Sequence, residues 1–526
     1  MEELPHKRYT RYQMGLATIV LATGAIFSHG QAAATTLRVQ INADIRSTDP
    51  GINRDATTDS VVLHMVEGLV GYNARGETRP LLAKTVDVSP DGLSYTFHLR
   101  ENVKFHNGAT LSADDVVWSW NRYMSPKSGW RCLPDFDGRK GFKVEGIKAV
   151  DKHTVLFTLN HPNPLFLTTM ARSDCGMSAI THRDSVRPDG SWDKPIGTGP
   201  FKLKEWKHRE YISLTPNTDY VSPAEQPDGY VGSKRPMVDE IRFLVIPDLA
   251  TAKAALLQGS IDILTRLPYN EAAELQKNPN VTVSTSSLLA SFALLLQTSD
   301  PALSNLKLRQ TIASALDYEQ LVQNVTYGLG APNNSIVPIS SPYYKDAEKK
   351  GHRYDLEHAR KLLKESGYRG QPLNIIANKQ YTYLFDSAVI AQAMLQQVGI
   401  NAQIEVLEWG TQLDRWQKGN YQLMAFPYSS RMDPALNFET IIGDREKQPR
   451  KVWDDPQAIE LLAQATEEPD TQARQALFDQ LHQSVIEQVP LIVLASQMAL
   501  DAAQNSVVGY KASVFGSPLL WEVSKK

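Results

Sequence analysis

Ser304 and Lys307 lie three residues apart, the spacing at which a lysine can act as base to a nucleophilic serine. That chemistry would make the chain a secreted serine hydrolase. It also calls for companion motifs, and neither a Ser-Asp-Asn nor a Lys-Thr-Gly sequence occurs. Gly197-Thr198-Gly199 opens like a dinucleotide-binding loop, but Pro200 and Phe201 follow and no third glycine arrives. Pro200 has no N–H to offer a phosphate, so the segment reads as a turn. The twelve histidines are scattered, and His98 and His106 fall at opposite ends of a strand-like run, whereas metal ligands must converge. No Walker A sequence, His-Glu-x-x-His helix or Gly-x-Ser-x-Gly elbow is present. An enzyme is therefore the weaker reading, and no cofactor is expected.

Composition narrows the rest. The 55 Lys+Arg against 58 Asp+Glu give a formal net charge of −3, without the basic surplus of a nucleic-acid binder. A hydrophobic share of 42% and a charged share of 21% suit a soluble globular chain and not a disordered one or a coiled coil. At 526 residues the chain exceeds one core and should divide into two or three lobes. At its start, Lys7, Arg8 and Arg11 precede an uncharged apolar run from Met14 to Phe27, followed by Ala32-Ala33-Ala34. That order is a secretory signal peptide, here residues 1–34, so an exported protein is expected. No cysteine lies near the cleavage point, which leaves no lipid anchor through a thiol. The only two cysteines, Cys132 and Cys175, are then free to form a disulfide in an oxidising compartment. Two buried free thiols are the alternative.

The elements that would carry a site alternate in type. Leu37-Arg38-Val39-Gln40-Ile41 has the period of a half-buried strand, ended by Ser47-Thr48-Asp49-Pro50-Gly51. Tyr95, Phe97 and Leu99 share a strand face, as do Val155, Phe157 and Leu159, and Ile241, Phe243 and Val245. Ser112 caps a helix with Asp115 three residues on, and Val116, Trp120 and Tyr123 form its apolar stripe. Leu308, Ile312 and Leu316 predict another helix, Ala359, Leu362 and Leu363 a third that ends at Gly367, and Ile404 with Val406 a strand. The order is that of an α/β protein. No long linker appears, so the backbone should cross between lobes more than once.

Leu82–Tyr123, with its Asp91-Gly92 turn, Phe97-His98-Leu99-Arg100 strand and Ala113-Asp114-Asp115-Val116 helix, resembles the signature region of the peptide/nickel/opine family of ABC-importer solute-binding proteins. Thr48-Asp49-Pro50, Glu67-Gly68-Leu69, Gly197-Thr198-Gly199-Pro200-Phe201, Arg309-Gln310 with Ala315-Leu316-Asp317, and Gly399-Ile400 resemble further family motifs, so the likeness covers nearly all of 37–500. It implies a two-lobed clamshell of the periplasmic-binding-protein type, with an extra subdomain in the first lobe. Placed by the motifs, the first lobe is 35–66, 178–286 and 490–526, the inserted subdomain 67–177 and the second lobe 287–489. It implies a periplasmic monomer that captures a peptide, opine or similar solute by hinge closure and delivers it to an ABC permease and its ATPase. Nickel and haem are further solutes of the family.

In peptide-binding members, an acidic residue after a Trp and shortly before an Asp-Pro or Glu-Pro pair receives the peptide ammonium. Here the stretch runs from Phe426 to Pro434, one residue shorter; Tyr428 replaces the Trp, and Arg431 or Ser430 takes the acidic place. An arginine cannot accept an ammonium, but its five donors suit a carboxylate or phosphate. Arg54, where peptide binders can carry an acid, would face the cleft from the first lobe; it also fits a solvated loop. The alternative for Arg431 is an ion pair with Asp433 that shapes the loop, and Trp409 either stacks on a flat ligand or packs in a core. Tyr428, Ser429 and Ser430 would add neutral donors and acceptors. The expected ligand is anionic.

Overall fold

Two strands dominate the architecture: Val281–Leu296 and Leu491–Gln504, paired antiparallel from Val281 opposite Gln504 to Leu295 opposite Leu491. The computed structural model describes residues 34–52 and 55–526; the signal-peptide residues 1–33 and Arg54 lie outside them. These two strands form the middle of a ten-stranded mixed sheet. On one side of them follow Ile263–Leu264, Thr36–Ile41, Glu240–Val245, Tyr211–Pro216 and Phe201–Lys207. On the other follow Leu423–Tyr428, Leu373–Ala377 and Ala402–Val406. The register breaks between Ser287 and Ser291. Before the break the pair adjoins the first set, through Ile263 opposite Ala503; beyond it, Ser291–Leu296 pairs with Leu423–Tyr428.

Beyond the break the strands are buried on both faces, which is why their sequence is a continuous apolar run. Side chains alternate across the pleat. Phe292, Leu294 and Leu296 join Ile312, Leu321, Ala388 and Leu395 from the helices Leu306–Ala315, Tyr318–Val325 and Thr382–Gln397. Ala293 and Leu295 turn the other way, to Phe438, Phe478, Leu481 and Val485 from the helices Pro434–Glu439 and Thr471–Gln488. The result is a helix–sheet–helix sandwich. The helix Leu356–Ser366 stops where expected, with Gly367 left-handed at φ 70°. Ala402–Val406 is the sheet edge, so Val406 of the predicted strand is exposed.

A separate four-stranded antiparallel sheet, in the order Ala83–Val88, Ser94–Leu99, Thr154–Leu159, Val144–Asp151, carries the signature region. Tyr95, Phe97 and Leu99 are buried, and the helix Ala113–Met124 brings Trp120 to 5.1 Å from Phe157, ring centre to ring centre. The Ser112 backbone N–H donates to Asp115 at 2.9 Å, closing the capping box. Glu67, fully buried, ties this region to the large sheet. It is ion-paired with buried Lys234 and accepts from Thr198 Oγ1 at 2.9 Å and Tyr220 Oη at 3.0 Å. The chain is mixed α/β, and among the described residues no helix is long and apolar enough to cross a membrane.

Candidate functional site

The site is assembled from short segments that the elements above bring together. After the first strand, Asp49 pairs with both terminal nitrogens of Arg122, whose guanidinium lies 5.0 Å from the centre of the Trp192 ring. Trp192 Nε1 in turn donates to Thr48 Oγ1 at 2.9 Å. The Thr48-Asp49-Pro50 motif is thus an anchor between the loop after the first strand and the helix Ala113–Met124. The loop then presses on the segment Ser173–Ser178: a Cβ on Gly51 would come within 2.4 Å of the Cys175 carbonyl oxygen, so only glycine fits. Arg131 N–H donates to the Gly51 carbonyl at 3.1 Å.

Cys132 and Cys175 are joined in a disulfide with Cα atoms 5.6 Å apart. Next to them in sequence stand Arg131 and Asp174, which form an ion pair of 3.0 Å. Arg172 adds a forked pair to Asp174, 3.0 and 2.8 Å, and reaches Asp135 at 3.1 Å. Burial acts to raise the Asp174 carboxyl, but Arg172, and behind it Arg131 and Arg431, outweigh it and hold it below its ordinary value. Arg431 belongs to the loop after strand Leu423–Tyr428, so this charge cluster joins the disulfide-linked segments beside the four-stranded sheet to a loop of the large sheet.

Arg431 itself is positioned by its own loop. Its N–H donates to the Leu289 carbonyl at 2.9 Å, docking the loop on the register break of the crossing strand. Its guanidinium donates to Ser429 Oγ at 3.2 Å and to the Ser430 carbonyl at 3.0 Å. Asp433 gives both oxygens to Arg474, at 2.6 and 2.7 Å, and caps Pro434–Glu439 through the Ala435 N–H. Beside Met432 and Asp433 opens a cavity of about 560 Å³, bounded across by Glu77, Arg79 and Thr168 of the four-stranded-sheet region.

Two residues singled out by sequence sit elsewhere than at the loop's surface. Tyr428 is 7% exposed and belongs to the apolar cluster of Phe426, Phe438 and Phe478; strand alternation turns its ring inward, so it is not a neutral donor beside Arg431. Trp409 is half-buried, its ring 5.2 Å from Tyr381 and 5.8 Å from Phe426, the core-packing alternative. Ser429, Ser430 and Arg431 remain together; Arg54 lies outside the described residues. Asp59, Arg131 and Asp174 went unremarked in the sequence. The one signal available was that Arg131 and Asp174 flank the two cysteines.

The other chemistry considered from sequence does not assemble. Ser304 Oγ donates to the Pro301 carbonyl at 3.1 Å, while Lys307 pairs with Glu365. His98 faces Asp87 at 2.9 Å, and His106 the Gly199 carbonyl at 3.1 Å. Among the described residues no three His, Cys, Asp or Glu side chains converge as a metal would need. Gly197-Thr198-Gly199 is a close-packed turn: a Cβ on Gly197 would stand 2.2 Å from the Met65 carbonyl oxygen. Arg309 donates to the carbonyls of Leu303, Ser304, Gln488 and Val489, and so ties down the end of the helix Thr471–Gln488.

Comparison with known proteins agrees with this architecture. Residues 77–448 match the family model described as bacterial extracellular solute-binding proteins, family 5 Middle. The chain is 28% identical to a probable di/tripeptide-binding protein 5 of Pseudomonas aeruginosa, over 96% of this chain and 98% of that one. It is 26% identical to the dipeptide-binding protein of Escherichia coli, over 89% of each. Its structure is similar to that of HbpA2 from Haemophilus parasuis, with a TM-score of 0.79 at 26% identity over 93% of this chain and 100% of that one. It is also similar to the periplasmic binding protein DppA from Helicobacter pylori in complex with the peptide STSA, with a TM-score of 0.71 at 27% identity over 94% and 98%. A two-lobed α/β scaffold whose chemistry-bearing residues gather at a strand crossing, and a family match over most of its length, lead to one conclusion: the chain belongs to family 5 of the bacterial extracellular solute-binding proteins.

Proposed function

We propose that this protein is the periplasmic substrate-binding component of an ABC importer, capturing peptides or peptide-like, opine-type solutes and handing them to a permease and its ATPase. It works as a monomer, exported by its first 34 residues, and catalyses no reaction. Residues 35–66, 178–286 and 490–526 form the first lobe, 67–177 its inserted subdomain and 287–489 the second; the register break at Ser287/Ser291 supports a hinge at this boundary. The relatives' peptide-binding names support the ligand class.

One observation carries the reading. Arg431 of the second lobe lies within electrostatic reach of the disulfide-held Asp174 of the first, so a solute between them touches both lobes at once. Binding and closure are then the same event. With Arg431 in the place of the ammonium-binding acid, an anionic group of the solute is held there by charge-assisted bonds from Arg431, with Ser429 and Ser430 beside it. Truncating one partner of such a pair costs about 2–5 kcal/mol. Arg431→Ala should therefore weaken the ligand tens-fold or more. The test is a thermal-shift and calorimetric panel of Ala-Glu, trialanine, glutathione and octopine on wild type and Arg431→Ala. No stabilisation of wild type by any of them would sink the reading; tight binding undiminished in Arg431→Ala would remove the anion site.

A further inference from the structure

Asp59 is the exception among the buried carboxylates. It lies in the helix Ala56–Val62 and is 9% exposed. Every other buried Asp or Glu has a donor: Asp49 has Arg122, Glu67 has Lys234, Asp115 has Ser112, and Glu240 has Lys204 and Arg242. Asp262 has Arg38 and Lys525, Glu348 the Lys345 N–H, Asp433 has Arg474, and Asp501 the Arg266 N–H and Tyr510. Among the described residues nothing donates to the Asp59 carboxyl, and no cationic side chain lies within 4 Å of it. The side chain is largely buried, yet its oxygens are not among the sealed, unpartnered polar atoms of the described residues, so a donor from outside the chain can reach them.

Its surroundings explain why no internal cation supplies the missing charge. Asp174 and Asp55 stand close enough to repel it, and Tyr230 lies on another side. Arg131 is the nearer cation in effect, but it is paired with Asp174; Arg266 reaches instead toward Thr57 Oγ1 at 3.4 Å. Asp55 spends its own oxygens on the Thr57 and Thr58 N–H groups. Asp174 is also within electrostatic reach of Arg431 from the proposed second lobe. The cluster therefore combines Asp174, held by Arg172 and Arg131, with Asp59, to which no described side chain donates.

We infer that the Asp59 carboxyl receives an ammonium group of the solute, so that the cleft takes a zwitterion with its cationic end on the first lobe and its anionic end at Arg431. This rests on the reading of the chain as a solute-binding protein. It reverses the polarity in which peptide-type members place the ammonium acid on the second lobe. An ammonium is a compact charge with three donors, the complement of a carboxylate whose lone pairs are all unused. In the empty cleft, burial first and then Asp174 push the Asp59 carboxyl up to about 8. Below that pH the acid holds a proton that the ammonium must displace, so affinity should tighten as pH rises from 6 toward 8.

The test takes whichever of Ala-Glu, trialanine and glutathione most raises the melting temperature, alongside the same compound acetylated on its amine. Calorimetry on wild type, Asp59→Asn and Asp59→Ser measures both, after circular dichroism has shown each variant folded. Acetylation is expected to weaken wild type at least tenfold. Both variants should bind the free amine at least tenfold more weakly and lose the pH dependence, with Arg431→Ala retaining it. Equal affinity for the acetylated compound, or undiminished binding of the free amine by Asp59→Asn, overturns the inference while leaving the solute-binding reading intact. Failure of all three compounds to bind overturns this inference, and failure of octopine as well removes the solute-binding reading with it.

Discussion

At the residue scale, the family motifs and the residues proposed to face the ligand are different sets. Thr48-Asp49-Pro50, Glu67-Gly68-Leu69 and Asp433-Pro434 each contain a carboxylate, and each carboxylate is consumed by a buried ion pair that fixes the scaffold. The solute contacts proposed above, Arg431 and Asp59, lie outside these motifs. Asp59 makes a prediction that needs no ligand. Its folded value of about 8 lies above the ordinary carboxyl value of about 3.9. Between these values the native state binds more protons than the unfolded one, so this residue lowers stability as pH rises from about 4 to 8. Asp59→Asn should thus melt close to wild type at pH 5 and above it at pH 8, by an amount on the order of 1–3 kcal/mol, the cost of a buried group without a partner. Parallel melting curves at both pH values would show that the carboxyl is solvated.

Elements are held in place by charge pairs and by one covalent link. The Asp433–Arg474 pair joins the loop bearing Arg431 to the helix Thr471–Gln488, with both side chains 6% exposed. Removing one partner of such a pair strands a buried charge and costs about 3–5 kcal/mol. Asp433→Ala should lose that much in denaturant unfolding, and Arg431-dependent binding with it, because the loop loses its cap and its anchor. The disulfide spans 43 residues, and opening a loop of that size costs roughly 2–4 kcal/mol. Reduction should also weaken ligand binding, since Arg131 and Asp174 are placed by the two cysteines. Unchanged affinity in the Cys132→Ser, Cys175→Ser double variant would confine the bridge to stability.

For the whole molecule, the only strands among the described residues shared by both halves of the large sheet are Val281–Leu296 and Leu491–Gln504. Their register break puts the least regular hydrogen bonding where the halves meet, the property expected of a hinge. Saturation with a solute should reduce the radius of gyration in solution scattering; a superimposable curve would contradict hinge closure. Acid adds a second global test. Burial holds His64 and His352 down to about 4, so the unfolded chain binds protons there first. Stability should fall as pH drops from about 6.5 to 4, opposite in sense to the contribution of Asp59.

The strands, the helix caps and the α/β class could be read from the sequence because they depend on local periodicity and turn chemistry, whereas the two-lobed clamshell came from the family resemblance. Leu37–Ile41, the Ser112–Asp115 cap and the Gly367 stop needed no knowledge of distant residues. The direction of Tyr428 was not legible, since one residue of strand phase decides between core and cleft. Nor was the cluster of Asp59, Arg131, Asp174 and Arg431, drawn from positions up to 372 residues apart. Whether a carboxylate is neutralised depends on what surrounds it in space, and only the folded chain shows that Asp49 and Asp433 have their arginines while Asp59 has none.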